Sequence, residues 1–167
     1  CALPILMHPT GGGEAYNYMN RGGRASGSVT VSFHGKAAHS STPASGINAL
    51  NAAISVFNQI DMLRPAFQIQ DNINGVILDG GTAGNIIPEF SRCGFCIRAE
   101  TMKRAEELIG LIKGCVKRAE ELTGAWAETE TEPIYAERYP CLPMCEAFRD
   151  NMGLLGISMC EPRPGEL

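Results

Sequence analysis

Residues 33–50 read FHGKAAHSSTPASGINAL. Just upstream, residues 28–35 (SVTVSFHG) put Val29, Val31 and Phe33 on one side and Ser28, Thr30, Ser32 and His34 on the other. This period of two predicts a half-buried strand. Downstream, residues 46–63 carry Ile47, Leu50, Ile54, Phe57 and Ile60 at spacings of three and four. That pattern predicts an amphipathic helix, stopped before Pro65. Between strand and helix lies a loop of small residues with an imidazole in its middle, at His39. A strand-to-helix connection needs a turn residue and a cap. It does not need a histidine.

The pattern extends outward on both sides. Residues 73–79 (INGVILD) predict a second strand. The turn GGTAGNIIPE (80–89) feeds a third strand through FSRCGFCIRA (90–99). Thr101 can cap a second helix, whose buried stripe is Ala105, Leu108, Ile112, Cys115, Ala119 and Leu122, with Gly124 just past its end. Residues 125–133 (AWAETETEP) alternate again and predict a fourth strand. Its glutamates suit a solvent face or a sheet edge. The order β-α-β-β-α-β, over roughly 27–134, is that of the ferredoxin-like α+β fold: a four-stranded antiparallel sheet with two helices on one face.

The flanks read differently. Residues 2–8 predict a buried strand ending in MHP, and 10–27 a glycine-rich connector. Residues 139–167 predict one more helix (Met144, Phe148, Met152, Leu155), a stop at Gly156 and a strand start at 157–160. Neither flank belongs to the sandwich, so both read as pieces of another domain. The chain begins at Cys1 inside an apolar run and stops at EPRPGEL, which reads as a fragment of a longer protein.

Bulk properties remove several function classes. With 44% apolar and 19% charged residues, the 167-residue chain has an ordinary globular composition. A net charge of −4 without a Lys/Arg cluster argues against nucleic acid and membrane surfaces. No apolar run approaches ~18 residues. The glycine-rich segments lack a phosphate-loop lysine, so nucleotide binding is not expected. Seven cysteines, an odd number at irregular spacing, suit reduced thiols in a cytoplasmic protein.

The loop GKAAHSSTPASGINA and the turn GGTAGNIIPE, on this strand order, resemble the lid or dimerisation domain of zinc-dependent aminoacylase and carboxypeptidase-G-type metallopeptidases. The likeness is strongest to the amidohydrolase branch, which includes aminobenzoyl-glutamate hydrolase and mammalian relatives acting on dipeptides with a basic residue. The resemblance implies a catalytic-domain end and connector at 1–24, a lid at 25–135, and the start of a second catalytic piece at 136–167. It implies a homodimer formed through the lid, with the lid loop reaching the active site of the other subunit. By position, Gly35, Ala38, His39 and Pro43 match the loop motif, and His39 would help hold the scissile carbonyl. Asn85 in GNIIPE would touch the substrate from the same side, and Arg98 in CIRAE would bind its carboxylate. His8 in ILMHP stands where a metal-ligand histidine is expected. The cofactor implied is zinc, as two divalent ions in the complete enzyme, with manganese as an alternative. The substrate would be a small amide: an N-acyl amino acid, an aminobenzoyl-glutamate-like conjugate or a dipeptide.

The remaining ligands and the general base are missing from the sequence. The pairs Glu106–Glu107 and Glu120–Glu121 read as the solvated face of the second helix. The chain by itself is therefore expected to be inactive. Read without the resemblance, His39 is a loop histidine, His8 a core histidine, Asn85 a turn residue and Arg98 a strand-surface charge. A ferredoxin-like module that binds a small ligand or dimerises without catalysis then competes with the enzyme reading. An RNA-recognition sheet shares the strand order but not the acidic balance or the scarcity of strand aromatics.

Overall fold

The computed structural model describes residues 22–161. In chain order the elements are β1 (Ala25–His34), β2 (Ala38–His39), a 3₁₀ turn (Pro43–Ser45), α1 (Ala49–Leu63), a second 3₁₀ turn (Arg64–Ala66), β3 (Asn72–Asp79), β4 (Ile86–Ile87), β5 (Phe90–Ala99), α2 (Met102–Thr123), β6 (Trp126–Thr131) and α3 (Leu142–Leu154). Strands order as β3-β5-β1-β6, all antiparallel, and β2 and β4 form a separate two-stranded ladder. The ferredoxin-like α+β expectation holds. His8 lies outside the described residues. Among the described residues no strand forms at 157–160, contrary to expectation, and Cys160 stands in a β-bridge.

Alternation decides which sheet face is dry. Ala25, Val29, Val31 and Phe33 of β1 are buried, as are Cys93, Phe95, Ile97 and Ala99 of β5 and Ile73 of β3. Register joins them across strands: Val29 opposes Phe95, Val31 opposes Cys93, and Ile97 opposes Ile73. Helices α1 and α2 cover this face. Asn48 caps α1 by accepting from the Asn51 amide at 3.1 Å, and Thr101 caps α2 by accepting from the Arg104 amide at 3.2 Å. Gly124 ends α2 with φ 76°, a left-handed cap that favours glycine. Burial pushes the Cys93 thiol up to about 12, so it serves as an apolar filler and not as a nucleophile.

The stripe expected for α1 is displaced. Its buried residues are Ala49, Ala52, Ala53, Val56 and Ile60, while Leu50 and Phe57 are half-buried and Ile54 is 41% exposed. Only Ile60 of the expected stripe inside the helix is fully buried. Alanines let the helix axis come close to the sheet, and the larger side chains splay to its margin. That margin runs along β3: the Cβ position of Gly75 lies 2.6 Å from Phe57 and from Phe95, and Gly80 approaches Leu50 and Ile77.

Two contacts lock the connections. Asp71, with its side chain 1% exposed, takes the Arg104 guanidinium through Nη2 at 2.7 Å and Nε at 3.1 Å, tying the link before β3 to α2. The Gln68 amide also donates to Asp71, at 2.8 Å. At the end of β1, Gly35 donates to the Glu89 carbonyl at 2.7 Å, and Lys36 and Ile47 exchange hydrogen bonds at 2.9 Å. A Cβ on Gly35 would lie 2.1 Å from the Ile47 carbonyl oxygen, a backbone approach that only glycine permits.

Among the described residues the chain divides into two compact units, Gly23–Arg138 and the segment from Tyr139 onward. The second contains α3, in which no residue is buried.

Burial pushes the Asp71 carboxyl up, but hydrogen bonds from Arg104 and Gln68 and the guanidinium charge outweigh it, leaving the group below its ordinary 3.8. A depressed folded value means that the stability is present above the ordinary aspartate range and is lost as pH falls through the lowered value. Asp71→Asn should therefore cost about 1–3 kcal/mol at neutral pH, and the gap from wild type should close below about pH 4 in urea melts. Gly35→Ala should cost at least about 1–3 kcal/mol by overpacking against backbone, with the amide shifts of residues 35–49 moving most by NMR.

Candidate functional site

β1 and β5 run antiparallel, and their last pair is His34 with Phe90. The segments beyond that pair therefore leave the sheet at the same end. One is the loop 35–48, entered from β1. The other is the turn 80–89, which leads into β5. They meet in the β2–β4 ladder, where Ala38 opposes Ile87 and His39 opposes Ile86. The Ser40 amide donates to the Asn85 carbonyl at 2.9 Å, so His39 and Asn85 stand side by side on one projection. Both are exposed.

The projection is stiffened locally. Pro43 opens the 3₁₀ turn 43–45, and the Thr42 amide donates to the His39 carbonyl at 2.9 Å. Gly46 has φ −109°, so its need is for space and not for an unusual backbone angle: a Cβ there would lie 2.8 Å from the Ala38 Cβ. In the other segment, Ser91 Oγ donates to the Asp79 carbonyl at 2.8 Å and the Gly81 amide donates to Asp79 Oδ1 at 3.1 Å. Gly81 has φ 101° and packs against Pro88, which leaves no room for a side chain. Beneath the turn is an open pocket of about 440 Å³, bordered by Ser40, Asn48, Leu50, Gly80–Gly84 and Ile86–Pro88.

The His39 ring is held by its own loop. Nδ1 accepts from the Ser41 amide at 3.2 Å and lies 2.7 Å from Ser41 Oγ. An amide N–H can only donate, so Nδ1 is the acceptor and the neutral ring carries its proton on Nε2. An imidazole N–H and an asparagine side-chain amide are each a donor suited to an oxygen atom that gains negative charge.

Arg98 is elsewhere. It pairs with Ser26 and Asn72 at the other end of β5, eight residues from Phe90, or about 27 Å along the strand. Within one chain the fold brings His39 and Asn85 together and leaves Arg98 apart from them. Among the described residues no group of three or more His, Cys, Asp or Glu side chains converges to hold a metal ion, so these residues do not fit a metal centre. Nor does any described helix have the length and apolarity to cross a membrane.

The structure also gives neighbours to residues that alternation assigns only to a face. On the uncovered sheet face, the His34 ring stacks on Trp126 with centroids 4.0 Å apart, and Phe90 meets it edge-on at 5.3 Å. Alternation put His34 on that face, but only the strand register shows its aromatic neighbours. The β3 edge exposes Val76 (56%), Ile77 (41%) and Leu78 (57%), and α1 exposes Ile54. The β6 edge instead carries Glu128 and Glu130, with Glu132 following.

Residues 21–123 match the family described as Peptidase dimerisation domain. The chain is similar to Xaa-Arg dipeptidase of Mus musculus, at 33% identity over 131 residues, which is 77% of this chain and 30% of that protein. Xaa-Arg dipeptidase of Homo sapiens is 32% identical over the same shares. The chain thus spans about a third of the length of these curated relatives. Among solved structures, an aminobenzoyl-glutamate utilization protein from Klebsiella pneumoniae shares the fold with TM-score 0.66 at 20% identity, over 85% of this chain and 37% of that one. An amidase of the hydantoinase/carbamoylase family from Burkholderia vietnamiensis does so with TM-score 0.74 at 15% identity, over 84% and 35%. With 103 of its residues inside the matched segment and the fold of that domain built around them, this chain belongs to the peptidase dimerisation domain family.

Proposed function

We propose that this chain is the lid, with flanking pieces of the catalytic part, of a metal-dependent amidohydrolase or peptidase, a homodimer in which each lid completes the active site of the other subunit. The observation that carries the proposal is the ladder that presents His39 and Asn85 together. His39 Nε2–H and the Asn85 amide would hold the carbonyl oxygen of the scissile amide as it gains charge. Losing one such donor costs roughly 10²–10³ in rate. The substrate would be a dipeptide, an N-acyl amino acid or an aminobenzoyl-glutamate-like conjugate. The divalent ions, zinc or manganese, would be held mainly by the catalytic part of the longer protein, with His8 as this chain's contribution. On this account residues 1–24 and 136–167 belong to that catalytic part and 25–135 to the lid. The reading is of a cytoplasmic enzyme.

The edge strands support a particular dimer. Two β6 edges would bring Glu128 and Glu130 against their copies, which repel. The β3 edge is apolar and unpaired, and the Leu50, Ile54 and Phe57 margin of α1 lies beside it. Two-fold pairing along β3 would extend the sheet and bury that margin. Antiparallel pairing also sets the Asn72 end of one β3 beside the Asp79 end of the other. Arg98 lies one strand in from Asn72, and Asp79 leads to the turn that carries Asn85. Arg98 of one lid would then stand about two strand spacings, ~10 Å, from the partner's Asp79. Arg98 thus serves the site that the partner's His39 and Asn85 enter, where it would bind the substrate carboxylate.

Ile77→Lys should turn the dimer into a monomer in sedimentation experiments, while Glu130→Lys on the opposite edge should leave it dimeric. In the longer protein, His39→Ala should lower turnover by about 10²-fold or more without changing sedimentation. Mixing that variant with one lacking a metal ligand should restore activity, because one of the two sites in a mixed dimer receives an intact lid and an intact metal centre. No recovery on mixing would rule out action across the dimer.

A further inference from the structure

The side-chain hydrogen bonds of the His39 ring run to Ser41 of its own loop. The Ser41 amide donates to Nδ1 at 3.2 Å, and Ser41 Oγ lies 2.7 Å from the same nitrogen. The main chain around it is tied down separately, by the Thr42 amide and Thr42 Oγ1 on the His39 carbonyl at 2.9 and 3.3 Å, and by the Ser40 amide on Asn85. Backbone and ring are thus fixed by different residues, and Ser41 acts on the ring alone. An exposed histidine with no such anchor samples several rotamers and both neutral tautomers. Here Nδ1 faces Ser41, and a proton on Nε2 is the neutral tautomer that lets the ring accept from the Ser41 amide.

We propose that Ser41 is the positioning residue for His39: its amide and hydroxyl occupy Nδ1, fix the Nε2–H tautomer and hold the ring in one rotamer, aimed away from the lid. The proposal rests on the reading of His39 as a donor to the substrate carbonyl. It gives that donor the pre-set orientation that hydrogen bonding to a developing charge requires, since reorganisation at the moment of reaction would forfeit most of the benefit. The serine hydroxyl would donate to Nδ1 and accept nothing from the ring, so that both Ser41 groups act as donors to one lone pair. Threonine, with the same hydroxyl, would serve in its place.

The test is nitrogen-15 NMR of the imidazole rings in the 167-residue chain at neutral pH. The chain has three histidines, so the His39 signals are identified by their loss in His39→Gln. The expected wild-type result is Nε2 protonated, Nδ1 unprotonated and shifted by accepted hydrogen bonds, and one χ1 rotamer. Ser41→Ala should move the Nδ1 signal toward that of a free imidazole and loosen the rotamer, whereas Ser41→Thr should restore the wild-type spectrum. Ser41→Pro, which removes both donors, should give full averaging of tautomer and rotamer; amide spectra of the sheet residues check that the fold persists. A wild-type ring with its proton on Nδ1 would overturn the proposal. So would a Ser41→Pro spectrum identical to wild type with the sheet intact. Since this readout needs no turnover, a failed mixed-dimer assay beside a positive NMR result would remove the catalytic reading and leave the ring anchor standing.

Discussion

The antiparallel register of β1 on β5 is the constraint on which the rest depends. It sets His34 opposite Phe90, so the segments beyond them leave the sheet at one end and must accommodate each other. The Gly35 amide on the Glu89 carbonyl, the Lys36–Ile47 pair and the Ala49 amide on the Pro88 carbonyl then carry that register into the loops. A slip of one residue would turn Val29, Val31 and Phe33 out of the core, which makes the register expensive to change. The juxtaposition of His39 and Asn85 is thus a consequence of core packing, and the projection needs little hydrophobic burial of its own.

Most of the fold was legible in the sequence, because alternation in β1 and β5 and the stripe of α2 are strong, although Leu122, expected at the end of that stripe, is 75% exposed in the last turn of the helix. Boundaries moved by a few residues: β1 begins at Ala25 and not Ser28, and α1 begins at Ala49, after the Asn48 cap. The face of α1 was less legible. Periodicity picks out large apolar residues, yet the helix packs through Ala49, Ala52 and Ala53, and the larger Leu50, Ile54 and Phe57 sit at its margin. Apolar side chains on two adjoining faces of a helix signal a second surface to be covered, and β3 shows the same excess at Val76, Ile77 and Leu78.

The candidate site was legible only in part. His39 stood out because an imidazole in a small-residue loop has no local structural need. Asn85 stood out through its setting before Ile86, Ile87 and Pro88. That these two neighbour each other follows from strand pairing, which no single stretch of sequence contains. The separation of Arg98 from them is equally a matter of register. Ser41 was invisible, since one serine in Ser40–Ser41–Thr42 carries no signal until the ring nitrogen it faces is placed. His8 lies outside the described residues, and its role rests on resemblance alone.

The central claim is that two copies pair along β3, so that Arg98 and the His39–Asn85 projection meet only between subunits. The most direct measurement is an isotope-filtered NOE experiment on a mixture of labelled and unlabelled 167-residue chains, which records contacts between copies only. The account predicts cross-chain contacts between residues 72–74 of one copy and 77–79 of the other, together with contacts from Ile54. Cross-chain contacts confined to β6, or none at concentrations where the chain sediments as a dimer, would contradict it.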